Sequence, residues 1–546
     1  MRLPARCALL IAAAGCPAPQ VSPPRVVPPP ADAAVDTPVP PVVTPAAPGE
    51  APRLVVLVVV DQLPSWAFAI KRPHLTGGFD RLLREGEWHT GVHPSAATLT
   101  APGHALISSG EPTATSGILG NEWWHRDVGR VVGSVEAHDG SSSAVWMRVP
   151  ALGDALVAGA TGGKAVSVGL KGRAAILLLG KAGLPIWYDR KLAAFKSFST
   201  PGWLADHGRQ HPILPRLDDV WTPRDPAQLA RISQTTDDQR GEVGSKGFGP
   251  TFPHAPRKTA SPADTVFALP LGNELVFETA LAAIAGEALG SDAAPDLLAL
   301  SLSAYDYVGH GWGQESWEAW DMMLRLDQQL AGFLAALDRR VGVGRWSLVL
   351  TSDHGACPLP ERGNGGRLAF ETIKNAANRA AAAELGPGEW VVAAKYPSVY
   401  LSAAARAKPP KELAKATTKI IHALRSFPGL ERVERTADFA GNCARRTGDA
   451  LMICLGLDAE RSGEIFYLPR AGWVLHEKAS PPATAHGSQH AYDREVPVIV
   501  LASDRAAAHP PLATPSTTPM PMVQISKILA GWLGITPPSA LPRAAP

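Results

Sequence analysis

Asp306 and His310 stand four residues apart in Ser303-Ala304-Tyr305-Asp306-Tyr307-Val308-Gly309-His310, a spacing that places both side chains on one face of a helical turn. Asp353 and His354 are adjacent, just ahead of Gly355. With Asp61 and His486 the chain supplies three aspartates and three histidines from four separated segments. Mixed carboxylate and imidazole ligation suits zinc better than calcium or magnesium. Six ligands exceed what one tetrahedral ion takes, so a pair of closely spaced ions is the economical arrangement. His310 or His486 alone would read as an ordinary structural histidine; the set reads as a bimetal centre.

Such a centre can activate a hydroxyl, because coordination to a divalent ion favours the alkoxide. Thr100 lies in the turn-like segment Thr98-Leu99-Thr100-Ala101-Pro102-Gly103-His104, and spacing alone leaves Thr98 and Thr100 both open as nucleophile. In Leu170-Lys171-Gly172-Arg173 two cations are two residues apart. On an extended segment their side chains leave the same face.

The elements that position these groups are legible as apolar runs. Leu54 to Val60, Ala165 to Leu170, Leu297 to Leu302, Trp346 to Leu350 and Val496 to Leu501 read as strands covered on both faces. Helical patterns such as Glu274 to Leu289 and Trp317 to Leu337 lie between them, which predicts an α/β fold with a mostly parallel central sheet flanked by helices. Asp61, Lys171 with Arg173, Asp306 with His310, and Asp353 with His354 each follow one of these runs. That places them at the carboxyl edge, where open α/β sheets bind ligands. Breaks near Pro358 to Gly366 and Lys478 to Thr484 bracket a stretch of different texture, which predicts an inserted cap over about 367–480.

Taken in order, Asp61, the Thr98 to His104 segment, Gly117-Ile118-Leu119-Gly120-Asn121, the Asp306/His310 pair, Asp353-His354-Gly355 and Ala485-His486-Gly487 resemble the alkaline phosphatase superfamily. The similarity is greatest to its threonine-nucleophile branch, shared by the type I phosphodiesterases/nucleotide pyrophosphatases and the PafA-type alkaline phosphatases. It covers roughly Leu54 to Gly534. The resemblance implies one zinc ion held by Asp306, His310 and His486, and a second by Asp61, Asp353, His354 and Thr100. It favours Thr100 as nucleophile and implies a phosphothreonine intermediate, followed by attack of hydroxide on the other zinc. Asn121, Lys171 and Arg173 would contact phosphate oxygens. The Cys/Ser-x-Pro-x-Arg motif of the family's sulfatases is not supplied by Thr100-Ala101-Pro102-Gly103-His104.

A phosphate monoester dianion carries one more charge and one more free oxygen than a diester. Each charge-assisted hydrogen bond is worth about 1.5–3 kcal/mol, on the order of tenfold to a hundredfold in binding, so Lys171 and Arg173 together can set a monoester preference. The expectation is therefore a zinc-dependent alkaline phosphatase acting on small-molecule phosphate esters. A phosphodiesterase or nucleotide pyrophosphatase on the same metal core is one alternative, and a lipid-tethered, non-catalytic binding protein is another. Trp123 and Trp124, just after Asn121, fit either the mouth of the site or the core.

Composition bounds the partners. Lys plus Arg is 52 and Asp plus Glu is 50 in 546 residues, a formal charge of +2, so overall charge gives no support to nucleic-acid or anionic-membrane binding. Hydrophobic residues make up 45%, which excludes a wholly disordered chain. Proline is in excess, with 52 residues, 13 of them between Pro17 and Pro52, a stretch that reads as an extended linker. Ahead of it, Arg2 and Arg6, the apolar run Cys7 to Gly15, and Ala13-Ala14-Gly15-Cys16 resemble a bacterial lipoprotein signal over residues 1–16. Export across the inner membrane follows, with a periplasmic or outer-membrane location, membrane attachment only through a lipid on Cys16, and a monomeric domain over 53–546. Of the remaining cysteines, Cys443 and Cys454 fit either a short disulfide loop or two buried thiols, and Cys357 reads as packing.

Overall fold

A computed structural model describes residues 51–477, 480–504 and 509–541. The signal-type segment 1–16 and nearly all of the 17–52 linker lie outside the described residues. The Val-rich run becomes the strand Leu54–Val60, buried along its whole length. It sits in the middle of a nine-stranded sheet. Across that sheet the order is Met520–Pro521, Glu87–Val92, Glu495–Leu501, Trp346–Thr351, Leu54–Val60, Asp296–Leu302, Ala165–Gly169, Leu184–Asp189 and Ala194–Lys196.

The period-2 alternation of a strand divides Leu54–Val60 between two cores. Leu54, Val56, Val58 and Val60 pack with residues of the helices Pro270–Gly286 and Trp317–Arg340 on one face. Val55, Leu57 and Val59 pack with Leu106, Ile107 and the helix Gln524–Leu533 on the other. Full burial of each such side chain contributes roughly 1.5–3 kcal/mol. The long helix begins sharply because the Ser316 hydroxyl accepts a hydrogen bond from the Ala319 backbone N–H at 3.0 Å, satisfying a donor the first turn leaves free.

The five strands from Trp346–Thr351 to Leu184–Asp189 are mutually parallel. Glu495–Leu501 runs antiparallel to both neighbours. A strand buried on both faces has the same composition whichever way it runs, so its apolar run carried no sign of direction. Ala194–Lys196 is a second antiparallel strand at the far edge. Among the described residues no single helix is long and apolar enough to cross a membrane.

Between Gly366 and His476 the chain builds a second, antiparallel sheet in the order Val391–Lys395, Ser398–Leu401, Ile465–Pro469 and Leu430–Arg435. The helices Phe370–Leu385 and Pro410–Arg425 bury Ile373, Ala377, Ile420 and Leu424 against it in a separate core. That core also takes in Ala96 and Ala97, ahead of the Thr100 segment. The parallel pairing of Gly366–Ala369 with Trp473–His476 closes the neck of this insertion. Cys443 and Cys454 form a disulfide, and Cys357 is a buried free thiol. Trp123 is core, packed with Ile118, Leu119 and Met147, and Trp124 lies against the same cluster.

Candidate active site

Strand register assembles the site. Val60 pairs with Leu302, Val59 with Thr351, and Gly169 with Ser301, so Asp61, the segment after Leu302, Asp353 and Lys171 all leave the sheet at one edge. The antiparallel strand enters from that edge, with Ile499 opposite Leu350. The residues preceding it, His486 among them, arrive there too. Had Glu495–Leu501 run parallel, His486 would reach the opposite end of the sheet.

Asp306 and His310 lie on the helix Ala304–Trp312 and meet across one turn, His310 Nε2 at 3.1 Å from Asp306 Oδ1. His486 Nε2 is 3.7 Å from the same oxygen. On the other side His354 Nε2 is 3.6 Å from Asp61 Oδ1 and 3.4 Å from Asp353 Oδ2, and 3.4 Å from the Thr100 hydroxyl. The His354 and His486 rings stack with centroids 3.5 Å apart. Each of the three histidines has Nδ1 against a backbone carbonyl: His310 on Thr484 at 2.9 Å, His354 on Gly355 at 3.0 Å, His486 on Thr98 at 2.9 Å. That pairing holds the proton on Nδ1 and turns the Nε2 lone pair inward, the usual arrangement of a metal-ligating histidine.

Two donor groups have all ligand atoms within 4.8 Å of one another, Asp61/Asp353/His354 and Asp306/His354/His486. The buried oxygens Asp61 Oδ1 and Asp353 Oδ2 have no hydrogen-bond partner, a costly condition that coordination to a cation relieves. The donor set thus fits divalent metal. His354 stands close to both groups, and His310 adjoins Asp306 beside the second.

Lys171 and Arg173 are not on an extended segment. Lys171 caps the helix Gly172–Leu179 and Arg173 lies in its first turn, so their side chains diverge. The buried Lys171 ammonium donates to Asp61 Oδ2 and Asp306 Oδ2, both at 2.6 Å. Arg173 is half-buried and lines the cavity, with its Nε unpartnered. Burial pulls the Lys171 ammonium down, but Asp306 and Asp61 outweigh it and hold the amine above its ordinary range. The Asp61 carboxyl is raised well above the usual range, by burial first and then by Asp353. Burial also acts on Asp306, yet Lys171 and His310 overcome it and keep that carboxyl well below. His486 is held well below the ordinary imidazole range by burial and by His354 and His310; the neutral ring is the ligating form.

Thr100 opens the helix Thr100–Ser109 rather than sitting in a turn. Gly103 permits this approach, since a Cβ there would lie 2.2 Å from the Asp353 carbonyl oxygen. The two threonines separate cleanly: Thr98 donates its hydroxyl to the Ser488 carbonyl at 2.9 Å, and the Thr100 hydroxyl faces His354. Asn121 accepts from the Ala101 N–H at 3.0 Å through Oδ1, and it lines the same cavity as Arg173, Asp306, His310 and His486, about 400 Å³ in volume. A second cleft of about 410 Å³ beside Trp221 is lined by no hydroxyl or thiol, and its Arg216 and Arg325 are paired with Glu274, Glu278 and Asp321.

Gln62 and His104 belong to the site without having been singled out by their chemistry. Gln62 takes a left-handed φ of 65°, donates its backbone N–H to Asp353 Oδ1 at 3.2 Å and its amide to Asp306 Oδ1 at 2.8 Å. Gly309 makes room, because a Cβ there would fall 1.9 Å from Gln62 Oε1. His104 binds the Thr100 carbonyl at 2.9 Å and Ser301 Oγ at 3.0 Å, with Nδ1 3.2 Å from Asp353. The available signal was position: Gln62 directly follows the aspartate at a strand end.

Comparison with known proteins agrees with this geometry. The family model for type I phosphodiesterase/nucleotide pyrophosphatase matches residues 55–493. The chain is 31% identical over 482 residues to the alkaline phosphatase PhoV of Synechococcus elongatus, covering 82% of this chain and 85% of that protein. It is 28% identical over 478 residues to the alkaline phosphatase PafA of Elizabethkingia meningoseptica, covering 82% and 87%. The crystal structure of the alkaline phosphatase PafA superposes with a TM-score of 0.80 at 26% identity, over 91% of this chain and 98% of that one. The chain therefore belongs to the type I phosphodiesterase/nucleotide pyrophosphatase family, as a PafA-type member of the alkaline phosphatase superfamily. It is a phosphoester hydrolase.

The Lys171 contacts make a stability prediction. Lys171→Met strips two buried carboxylates of their ammonium and should lower the stability of the metal-free protein by about 3–5 kcal/mol. Saturating zinc should recover most of the loss. Urea melts with and without zinc read both quantities; an equal loss in the two states contradicts this role.

Proposed function

We propose that the chain is a zinc-dependent phosphate monoester hydrolase that passes the phosphoryl group through Thr100. The observation that supports this most is the Thr100 hydroxyl, which stands 3.4 Å from His354 Nε2 at the head of a helix and beside both donor groups. Asp306, His310 and His486 would hold one zinc ion, and Asp61, Asp353, His354 and Thr100 Oγ the other. Bound there, the ions would supply positive charge that favours the alkoxide and shields phosphate oxygens.

Thr100 gives up its hydroxyl proton to solvent and its Oγ forms a bond to phosphorus as the ester oxygen leaves with its bonding pair and takes a proton from solvent. Water then displaces Thr100 and restores its hydroxyl, giving inorganic phosphate. The helix N-terminus beneath Thr100 favours negative charge at this position. Asn121, its Oδ1 fixed by Ala101, has its amide N–H groups for a phosphoryl oxygen. Arg173 reaches the cavity as a charged donor, and Lys171 holds Asp61 and Asp306 in place.

Relatives named alkaline phosphatase support a monoester substrate. The family description keeps a diester reading open, as does the fold shared with murine ectonucleotide pyrophosphatase/phosphodiesterase 5, at 13% identity and a TM-score of 0.51. Export and a lipid anchor at Cys16 are part of the proposal and rest on residues 1–16 alone.

Acid quench during turnover should trap phosphate covalently on the unmodified protein and not on Thr100→Ala. A phosphoprotein surviving in Thr100→Ala would move the nucleophile to another hydroxyl. On matched aryl substrates the monoester should turn over faster than the diester, and faster diester turnover overturns the monoesterase reading. Arg173→Ala should depress monoester kcat/KM by about tenfold to a hundredfold and diester kcat/KM by much less. Equal losses would remove Arg173 from monoester recognition.

A further inference from the structure

The cavity that holds the reacting groups continues outward past Asn121 to side chains the chemistry does not use. Leu99, Phe370, Tyr396 and Leu475 form its apolar part, and Glu122, Lys395 and Glu477 its charged part. Phe370, Lys395, Tyr396, Leu475 and Glu477 come from the insertion and its neck, whereas Glu122 immediately follows Asn121. The Lys395 ammonium bonds both Glu122 and Glu477, so the triad ties the insertion to the segment carrying Asn121. When both carboxylates are ionised the triad itself carries one net negative charge, and the Arg173 guanidinium that lines the same cavity acts on Glu122 from outside it. None of the three is fully buried, with side-chain exposures of 40% for Glu122, 47% for Glu477 and 20% for Lys395. They present that charge to whatever occupies the cavity beyond the phosphoryl group.

The Tyr396 ring is fixed in this wall. Its hydroxyl donates to the Ala96 carbonyl at 2.9 Å. A Cβ on Gly487, next to His486, would come within 3.2 Å of Leu99 and 3.4 Å of the Tyr396 ring. The apolar seat therefore adjoins the histidine loop on one side and the charged triad on the other. A leaving group that extends from the phosphoryl position into this cavity would meet it.

We infer that Glu122, Lys395 and Glu477 act as a charge filter for the leaving group, so that the site selects phosphate monoesters of uncharged or cationic phenols and alcohols and disfavours leaving groups that carry their own anion, such as a second phosphate. This rests on the monoesterase reading above. The phosphoryl end needs positive charge and the mouth carries the opposite sign. A monoester with a neutral apolar leaving group satisfies both, whereas a nucleoside diphosphate or pyrophosphate meets repulsion at the triad.

The test uses phenyl phosphates bearing a para trimethylammonium or a para sulfonate group, compared by the ratio of their kcat/KM values (cation over anion). In the Glu122→Gln, Glu477→Gln double variant the ratio should fall by about three- to tenfold, the effect of removing two carboxylate charges in partly exposed, solvent-screened surroundings. Lys395→Met should raise the ratio. In the unmodified protein, going from about 0.02 M to about 0.5 M salt should shrink the ratio toward its screened value. Because the glutamate and lysine variants move the ratio in opposite directions, general damage to the fold cannot mimic the pattern. A ratio that stays within twofold across variants and salt, or that moves the same way in both variants, overturns the filter. Failure of the monoesterase reading is read separately, as bis(4-nitrophenyl) phosphate turning over faster than 4-nitrophenyl phosphate in the unmodified protein.

Discussion

Three carboxylates, Asp61, Asp306 and Asp353, lie buried where three parallel strands end side by side, and the structure around them answers their mutual repulsion. Each buried ion costs several kcal/mol unless opposite charge and hydrogen bonds surround it. Lys171 reaches two of them, Gln62 reaches Asp306 and Asp353, and His104 adjoins Asp353. His310, His354 and His486 are held by backbone carbonyls so that their free nitrogens face the same place. What is left unsatisfied, Asp61 Oδ1 and Asp353 Oδ2, marks where further positive charge is wanted.

That constraint explains local features that propensity alone does not. Gln62 tolerates a left-handed backbone, at a cost of order 1–3 kcal/mol, because only there does it bridge two carboxylates. Gly103 and Gly309 are required where a helix start meets Asp353 and where a helix passes Gln62. The antiparallel strand brings His486 to the carboxyl edge. The insertion closes over this edge with its own core, so the catalytic sheet supplies the chemistry while the added unit supplies much of the wall that a leaving group meets.

Much of this was legible in the residues. Continuous Val- and Leu-rich runs located the central strands, since strands buried on both faces lose the polar alternation, and acidic or basic residues directly after them marked the carboxyl edge. The Asp306/His310 spacing correctly placed both on one helical face. Direction was not legible for Glu495–Leu501, because composition is blind to it. The extended geometry read for Lys171-Gly172-Arg173 does not hold, because the strand ends at Gly169 and a helix begins at Gly172, and Lys171 turns to the carboxylates. Gln62 and the Glu122–Lys395–Glu477 triad join residues far apart in the chain, and nothing local announces such pairings. The Cys443–Cys454 pair, open on spacing, is resolved as a disulfide.

The central claim is that the carboxylate and imidazole cluster is a bimetal centre with Thr100 at its edge. A crystal structure of the zinc-loaded protein with inorganic phosphate, recorded at the zinc absorption edge, tests it most directly. Two anomalous peaks about 3.5–4 Å apart are predicted, one against Asp306, His310 and His486 and the other against Asp61, Asp353, His354 and Thr100 Oγ, with phosphate between them and Arg173. A single peak, or zinc bound away from these side chains, would contradict the account.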